Sequence, residues 1–328
     1  MAIASLGIFS SNVKDMGAHT RAQEPTLIPT NVLLLTPALI PLGVLLPYLT
    51  GTVILLIGLY SARKEFASRQ GLDKIVALGP VFLAVPIAVF GTEHFTATKI
   101  LAGMVPRWIP GHLFWALFVG ACLISVALSI AVRKYTGIAA ALLGLTILLF
   151  VLLIHIPGVA NAPTSRLLWV VALRDLAFSG GALSVAATQR KSWTPPVRQG
   201  LILLARLFIG VPITFLGVEQ FLHPELAPGV PLPKLTPLWV PGHALWGYPI
   251  GLVFVVAGLC LITNKKAGFA ATWLGLLILL LVLAVYLPIV VAIPSDIANG
   301  LNYLADTLLL GGTVLAFAEA QRGDQNSS

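Results

Sequence analysis

The stretch VPRWIPGHLFW at residues 105–115 is written again as TPLWVPGHALW at residues 236–246. From Pro106 and Pro237 onward, six of the ten aligned positions are identical. A motif that recurs with the same neighbours along a chain indicates a duplicated structural unit. The chain is therefore predicted to contain two copies of one fold.

The duplication extends well beyond this motif, mainly through small residues and prolines that recur at a near-constant offset. The equivalent positions are Gly91 and Gly217, Pro110 and Pro241, Gly137 and Gly268, Gly144 and Gly275, Pro157 and Pro288, Asp175 and Asp306, and the pairs Gly180–Gly181 and Gly311–Gly312. They predict a first repeat at residues 75–190 and a second at residues 196–321. A single helix at residues 31–66 and a poorly ordered tail at residues 1–30 are expected to precede them.

The composition is that of an integral membrane protein. Of the 328 residues, 58% are hydrophobic and 10% are charged, which is more apolar surface than a soluble core of this size needs. Apolar segments of roughly 20 residues, enough to cross a bilayer, lie near 32–61, 75–95, 112–132, 136–156, 167–188, 199–221, 244–263, 267–292 and 297–319. The predicted fold is all-α, with two parallel four-helix transmembrane repeats plus one N-terminal helix, about nine spans in total.

The sequence disfavours several classes of chemistry and of partner. Cys122 and Cys260 lie in apolar stretches at non-equivalent positions of the repeats, so neither a disulfide framework nor a redox pair is predicted. The formal net charge of +8 comes mostly from basic residues in short loops between apolar runs, which is typical of contacts with lipid headgroups. The lipid bilayer is therefore the expected partner, and no nucleic acid is expected.

The basic residues also predict an orientation in the membrane. If the helices alternate in direction, one side collects Arg63, Lys64, Arg69, Lys74, Arg133, Lys134, Arg190, Lys191, Arg198, Lys265, Lys266 and Arg322. The positive-inside rule makes that side cytoplasmic. The C-terminus is then cytoplasmic, the N-terminal tail is outside, and both PGH turns face outward.

Each copy of the repeated motif carries one histidine. His112 and His243 lie near a predicted helix N-terminus, whose partial positive charge disfavours an imidazolium, so both rings are expected to be neutral. Trp115 and Trp246 follow on the same helix faces. A packing or capping role and a direct contact with a ligand both remain open for these histidines.

Further polar residues gather at the same predicted membrane level in repeat one. Glu93 and His94 end its first helix, His155 ends its third, and Arg174 and Asp175 lie about two turns into its fourth. Charges at such depth are functional candidates. Since side chains lean toward the N-terminus of their helix, Glu93 and Arg174 are predicted to meet as an ion pair.

Repeat two keeps the acids Glu219 and Asp306, but Ala305 and Tyr286 replace the arginine and the second histidine. Its two acids therefore lack a local cation, and one of them is expected to hold a proton. Glu219, His243 and Asp306 are accordingly the predicted catalytic residues, acting in proton transfer. The alternative, that each acid only hydrogen-bonds a neighbouring helix, stays open.

Three stretches of repeat two resemble the DoxX-like family of small bacterial four-helix membrane proteins. They are LLARLFIGVPITFLGVEQF at 203–221, PLWVPGHALW at 237–246 and NKKAGFAATWLGLLILL at 264–280. The resemblance covers about residues 75–320 as two tandem copies, and repeat one departs from it by lacking an equivalent of Arg206. It implies a bacterial cytoplasmic-membrane protein, with relatives associated with quinol oxidation, thiosulfate-to-quinone electron transfer or membrane oxidoreductase complexes.

The resulting functional hypothesis is a quinone-linked redox or accessory subunit of a membrane oxidoreductase. A cleft at the outer membrane level would bind a quinone headgroup between a neutral histidine and a carboxylate that accepts protons. Subunits of such an oxidoreductase are the expected protein partners. The predicted ligand-binding residues are Glu93, His112, Trp115, His155, Arg174, Asp175, Trp246 and Tyr286.

Two other functional classes remain open. Two parallel repeats with acids near their interface are compatible with a small-solute or proton-coupled transporter, and a non-catalytic assembly protein would use every polar residue for helix packing. A haem is disfavoured, because His112 and His155 lie at similar depth but repeat two has Tyr286 in place of the second histidine.

Overall fold

The computed structural model describes residues 41–189, 193–243 and 245–325. Within these ranges the chain is helical, and its only β-type pairing is an isolated bridge between Leu226 and Leu235. The tail predicted at residues 1–30 lies outside the described residues, as do residues 31–40 of the first predicted helix.

Eight helices are long and apolar enough to cross a membrane, and a ninth is apolar but shorter. They are α1 (Leu42–Ser68), α2 (Asp73–Thr96), α3 (His112–Ala131), α4 (Thr136–Asn161), α5 (Arg166–Thr188), α6 (Pro195–Leu222), α7 (Gly247–Thr263, the shorter one), α8 (Ala267–Ala292) and α9 (Ile297–Arg322). Helices suit such segments because each satisfies its own backbone hydrogen bonds where water is absent. The predicted all-α, multi-pass membrane fold is confirmed.

The third helix of each repeat contains the same irregularity. A π-helical turn occupies Val151–His155 in α4 and Val282–Tyr286 in α8, and a proline follows each of them. Proline lacks the N–H that would close the preceding helical turn, so the turn widens at this point. The irregularity places His155 and Tyr286 at equivalent positions, and both side chains are buried.

The two repeats interlock instead of forming separate bundles. Within repeat one α2 packs on α3 and α4 packs on α5, and repeat two pairs α6 with α7 and α8 with α9 in the same way. Between repeats, however, α2 packs chiefly on α9, and α6 packs on α5. The two fourth helices, α5 and α9, also contact each other at the centre, and α1 covers α2. A side chain of one repeat can therefore reach a partner in the other.

Glycines of the two aligned pairs, Gly180–Gly181 and Gly311–Gly312, permit these close crossings. A Cβ atom added to Gly180 of α5 would lie 3.0 Å from the carbonyl oxygen of Ala205 in α6. A Cβ atom on Gly312 of α9, which aligns with Gly181, would lie 2.5 Å from the backbone nitrogen of Leu83 in α2. The repeated glycines therefore mark the crossings that join one repeat to the other.

The substitution Gly312→Ala is expected to lower the free energy of unfolding by about 1–3 kcal/mol, because backbone atoms cannot move aside for the new methyl group. Gly268→Ala is the matched control, since its Cβ would meet nothing closer than 3.5 Å. That control is expected to be neutral or slightly stabilising, because alanine favours helix. Thermal unfolding of both variants in detergent checks this, and equal effects would contradict the tight crossing.

Candidate ligand site

The two PGH turns share a left-handed glycine and a tryptophan–proline hydrogen bond. Gly111 and Gly242 have positive φ angles of 74° and 62°, a region that favours glycine because it lacks a Cβ atom. In each turn a tryptophan N–H donates to the carbonyl oxygen of the motif's proline, at 3.1 Å for Trp115 and 2.9 Å for Trp246. The repeated motif thus encodes the same glycine conformation and the same tryptophan–proline bond twice, although α3 begins at His112 and α7 begins only at Gly247.

A cavity of about 430 Å³ lies inside repeat one, below its PGH turn. Its walls are mostly apolar side chains from α2, α3, α4 and the segment between α2 and α3, among them Leu101, Met104, Phe118, Leu149, Phe150 and Leu153. The titratable groups in the lining are His94, His155 and Asp175. An apolar pocket with a few polar groups is the usual form of a small-molecule site.

His155 and Asp175 form a hydrogen-bonded pair at the wall of this cavity. The Nε2 atom of His155 lies 2.9 Å from Oδ2 of Asp175. The guanidinium of Arg174 donates to the other oxygen, Oδ1, through Nε at 3.0 Å and Nη2 at 2.9 Å. Because the carboxylate accepts all these bonds, Nε2 of His155 carries the hydrogen and Nδ1 is left as an acceptor.

Arg174 also reaches across the boundary between the repeats. Its Nη1 atom donates to Oδ2 of Asp306 at 2.7 Å, and its side chain is fully buried. Glu219, the other acid of repeat two, accepts a bond from Arg166 at 3.1 Å. The prediction that the acids of repeat two lack a cation is therefore wrong. Because the helices interlock, arginines of repeat one serve both of these acids.

The predicted ion pair between Glu93 and Arg174 is also wrong. Arg174 directs its bonds to Asp175 and Asp306, whereas neither carboxylate oxygen of Glu93 has a hydrogen bond of ordinary geometry within the described ranges. The reason is that α2 packs mainly on α9 and contacts α5 only slightly. Glu93, which is 2% exposed, consequently faces Asn302 and Asp306.

His94 lines the cavity but was not among the predicted ligand-binding residues. Its Nδ1 atom lies 2.7 Å from the carbonyl oxygen of Phe90, one helical turn earlier. A carbonyl only accepts, so Nδ1 carries the hydrogen and Nε2 of a neutral ring is an acceptor. Its position at the end of the first helix is visible in the sequence, but the ligand-binding residue predicted there was the adjacent acid, Glu93, which faces Asn302 and Asp306.

In repeat two a loop occupies the space that corresponds to this cavity. The connection between α6 and α7 is five residues longer than that between α2 and α3 when the flanking motifs are aligned. Its residues 226–232, here called the plug, fold inward, and Val230 and Leu232 are 1% and 2% exposed. The Tyr286 hydroxyl donates to the carbonyl oxygen of Pro228 at 2.7 Å, which fixes the plug to α8.

Only some of the predicted site residues line the cavity. Trp115, His155 and Asp175 line the cavity, whereas Glu93, His112, Arg174, Glu219, His243, Trp246, Tyr286 and Asp306 do not. The three predicted catalytic residues of repeat two are not brought together, because two of them pair with different arginines and the third lies in the partly exposed PGH turn. The described part of the chain contains no cluster of three or more His, Cys, Asp or Glu side chains that could hold a metal ion.

Comparison of the chain with family models, curated proteins and solved structures finds no match. Fold and site together define a multi-pass α-helical membrane protein with an apolar, histidine-lined cavity in its first repeat. The resemblance to the DoxX-like family stays a prediction.

Proposed function

We propose that the protein binds a quinone or quinol in the cavity of repeat one, as a quinone-linked redox or accessory subunit of a membrane oxidoreductase. The observation that supports this most is the mostly apolar cavity with His94 and the His155–Asp175 pair in its wall. A quinone ring is apolar and carries two oxygen atoms, so it matches a pocket with few polar groups. When bound, the quinone supplies the electron chemistry.

The chain's own residues would bind and orient the ring and exchange protons with it. A neutral His155 can accept a proton at Nδ1, and Asp175 would stabilise the resulting imidazolium through its bond to Nε2. Arg174 holds Asp175 in place through its two bonds to Oδ1. This arrangement positions a proton acceptor in an apolar wall.

Purification in mild detergent, followed by organic extraction, tests the proposal. We expect about one extractable quinone per chain, or saturable binding of an added short-chain quinol, because the cavity holds one ring and repeat two is plugged. An absorption spectrum recorded on the same sample tests for haem through its Soret band. If neither extraction nor titration detects a quinone or quinol, the proposal fails and the assembly role is favoured.

Proton-coupled transport is the second candidate, and one observation favours it. Both oxygens of Glu93 and Oδ1 of Asp306 are buried at the interface between the repeats without a hydrogen bond of ordinary geometry among the described residues. Ionisable groups at such depth are typical of proton pathways. Proton uptake into proteoliposomes that Glu93→Gln abolishes would favour transport, whereas uptake independent of Glu93 would remove this support.

The proposed location is the bacterial cytoplasmic membrane, with the PGH turns outside and the C-terminus in the cytoplasm. The basis is the asymmetry of basic residues, together with the family resemblance. In a background without Cys122 and Cys260, a cysteine at Ser165 is expected to react with an impermeant maleimide in intact cells. A cysteine at Lys265 is expected to react only after permeabilisation, and the reverse pattern would invert the topology.

A further inference from the structure

In repeat two the plug fills the space that corresponds to the cavity of repeat one. In the alignment of the repeats, Gln220 stands at the position of His94, and Tyr286 stands at the position of His155. Both side chains of repeat two hold the plug by donating to its backbone carbonyl groups. The amide of Gln220 donates to Leu226 at 3.0 Å, and the hydroxyl of Tyr286 donates to Pro228 at 2.7 Å.

The plug therefore shows which two positions of the fold hold an occupant of this space. The two carbonyl oxygens that accept these bonds belong to Leu226 and Pro228, two residues apart in the chain. The apolar side chains of the plug are buried. On the basis of the proposed function, we propose that repeat one holds its ligand at the same two positions, through His94 and His155. We further propose that the ligand presents two hydroxyl groups, as the reduced, hydroquinone form does.

The preference for hydroxyl groups follows from the hydrogen bonds that the two histidines already make. His94 donates from Nδ1 to Phe90, and His155 donates from Nε2 to Asp175. The remaining nitrogen of each neutral ring is an acceptor, so it pairs with a hydroxyl donor and not with a quinone carbonyl. In repeat two the direction of hydrogen bonding is reversed. The amide of Gln220 and the phenol of Tyr286 donate to carbonyl oxygens of the plug.

The proposal concerns binding, and three decyl-substituted probes test it. They are a para-hydroquinone kept reduced under anaerobic conditions, the corresponding quinone, and the dimethyl ether of the hydroquinone. The ether keeps both oxygens but has no O–H donor. Dissociation constants are measured by equilibrium dialysis in detergent, and thermal unfolding of each sample verifies that the variant is folded.

The parent protein is expected to bind the hydroquinone about tenfold more tightly than the ether or the quinone, because those two probes leave acceptors facing acceptors. The double variant His94→Gln/His155→Tyr carries the donors of repeat two, so it is expected to reverse the preference toward the quinone. The single variants should show intermediate ratios. His112→Gln, outside the cavity, should leave the ratio unchanged.

The outcomes separate this inference from the proposed function. If the parent binds hydroquinone, quinone and ether equally, then His94 and His155 do not hold the ligand by accepting hydrogen bonds from its hydroxyl groups. The proposed binding of a quinone or quinol still stands in that case. The inference is also overturned if the folded single and double variants keep the parent's ratio of dissociation constants for hydroquinone and quinone. If the parent binds none of the probes, the proposed function fails and this inference fails with it.

Discussion

Replacing Arg174 by methionine is expected to lower the free energy of unfolding by about 3–5 kcal/mol, because the change strands buried carboxylates that the guanidinium now holds. Arg174 bonds to Asp175 and to Asp306 and is fully buried, so it joins α5 to α9 across the boundary between the repeats. Thermal or denaturant unfolding in detergent measures the loss. It should be the largest among single arginine replacements in the described bundle.

Arg166→Met is the matched control. Arg166 also pairs with an acid of repeat two, Glu219, but its side chain is 24% exposed, so solvent screens the interaction. Its loss leaves Glu219 without this cation and removes the bond from Arg166 to the Pro231 carbonyl, so it is expected to cost about 1–2 kcal/mol, less than the loss of Arg174. An equal cost for both arginines would contradict the central position assigned to Arg174.

Double-mutant cycles distinguish the observed pair from the one that the sequence predicted. Arg174→Met combined with Asp306→Asn should cost less than the sum of the two single changes, because the second change removes a stranded charge. Arg174→Met combined with Glu93→Gln should give a much smaller coupling energy, since these two side chains share no bond. Strong coupling to Glu93 and none to Asp306 would contradict the structure.

The membrane fold was predictable because its determinants are local. Long apolar segments become helices in a bilayer whatever their neighbours are, and the equivalent glycines reveal the duplication. The partner of each helix was not predictable in the same way. The crossing of α2 with α9 depends on Gly312 meeting the backbone at Leu83, a contact between distant parts of the sequence.

The candidate site was partly predictable for the same reason. His155 and Asp175 were identified because polar groups at that depth are rare, and both line the cavity. Their counterparts in repeat two were misinterpreted because each repeat was treated as its own bundle, which concealed the bond from Arg174 to Asp306. The connection between α6 and α7 is five residues longer than its counterpart, which was visible as a change in the alignment offset. The burial of the plug within that connection was not visible.

Filling the cavity is expected to weaken ligand binding about 100-fold, the equivalent of losing the burial of one aromatic ring. Ala116 of α3 is buried and lines the cavity, so the indole of Ala116→Trp is expected to extend into it. Thr146→Phe, on α4, fills the same space from another wall and serves as a second variant. Both are expected to keep the unfolding temperature of the parent.

Ala121→Trp is the matched control for the filling variants. It introduces the same side chain on the same helix, but at an exposed position that does not line the cavity. Because the new indole does not reach the cavity, binding should equal that of the parent. If Ala121→Trp weakened binding as much as Ala116→Trp, the effect would not arise from the cavity.

The stoichiometry of bound quinol in the parent, Ala116→Trp and Ala121→Trp tests the assignment of the site most directly. Equilibrium dialysis with the decyl hydroquinone should give one molecule per chain in the parent and in Ala121→Trp, and essentially none in Ala116→Trp at the same concentration. Undiminished binding by a folded Ala116→Trp variant would contradict a ligand site in the cavity of repeat one.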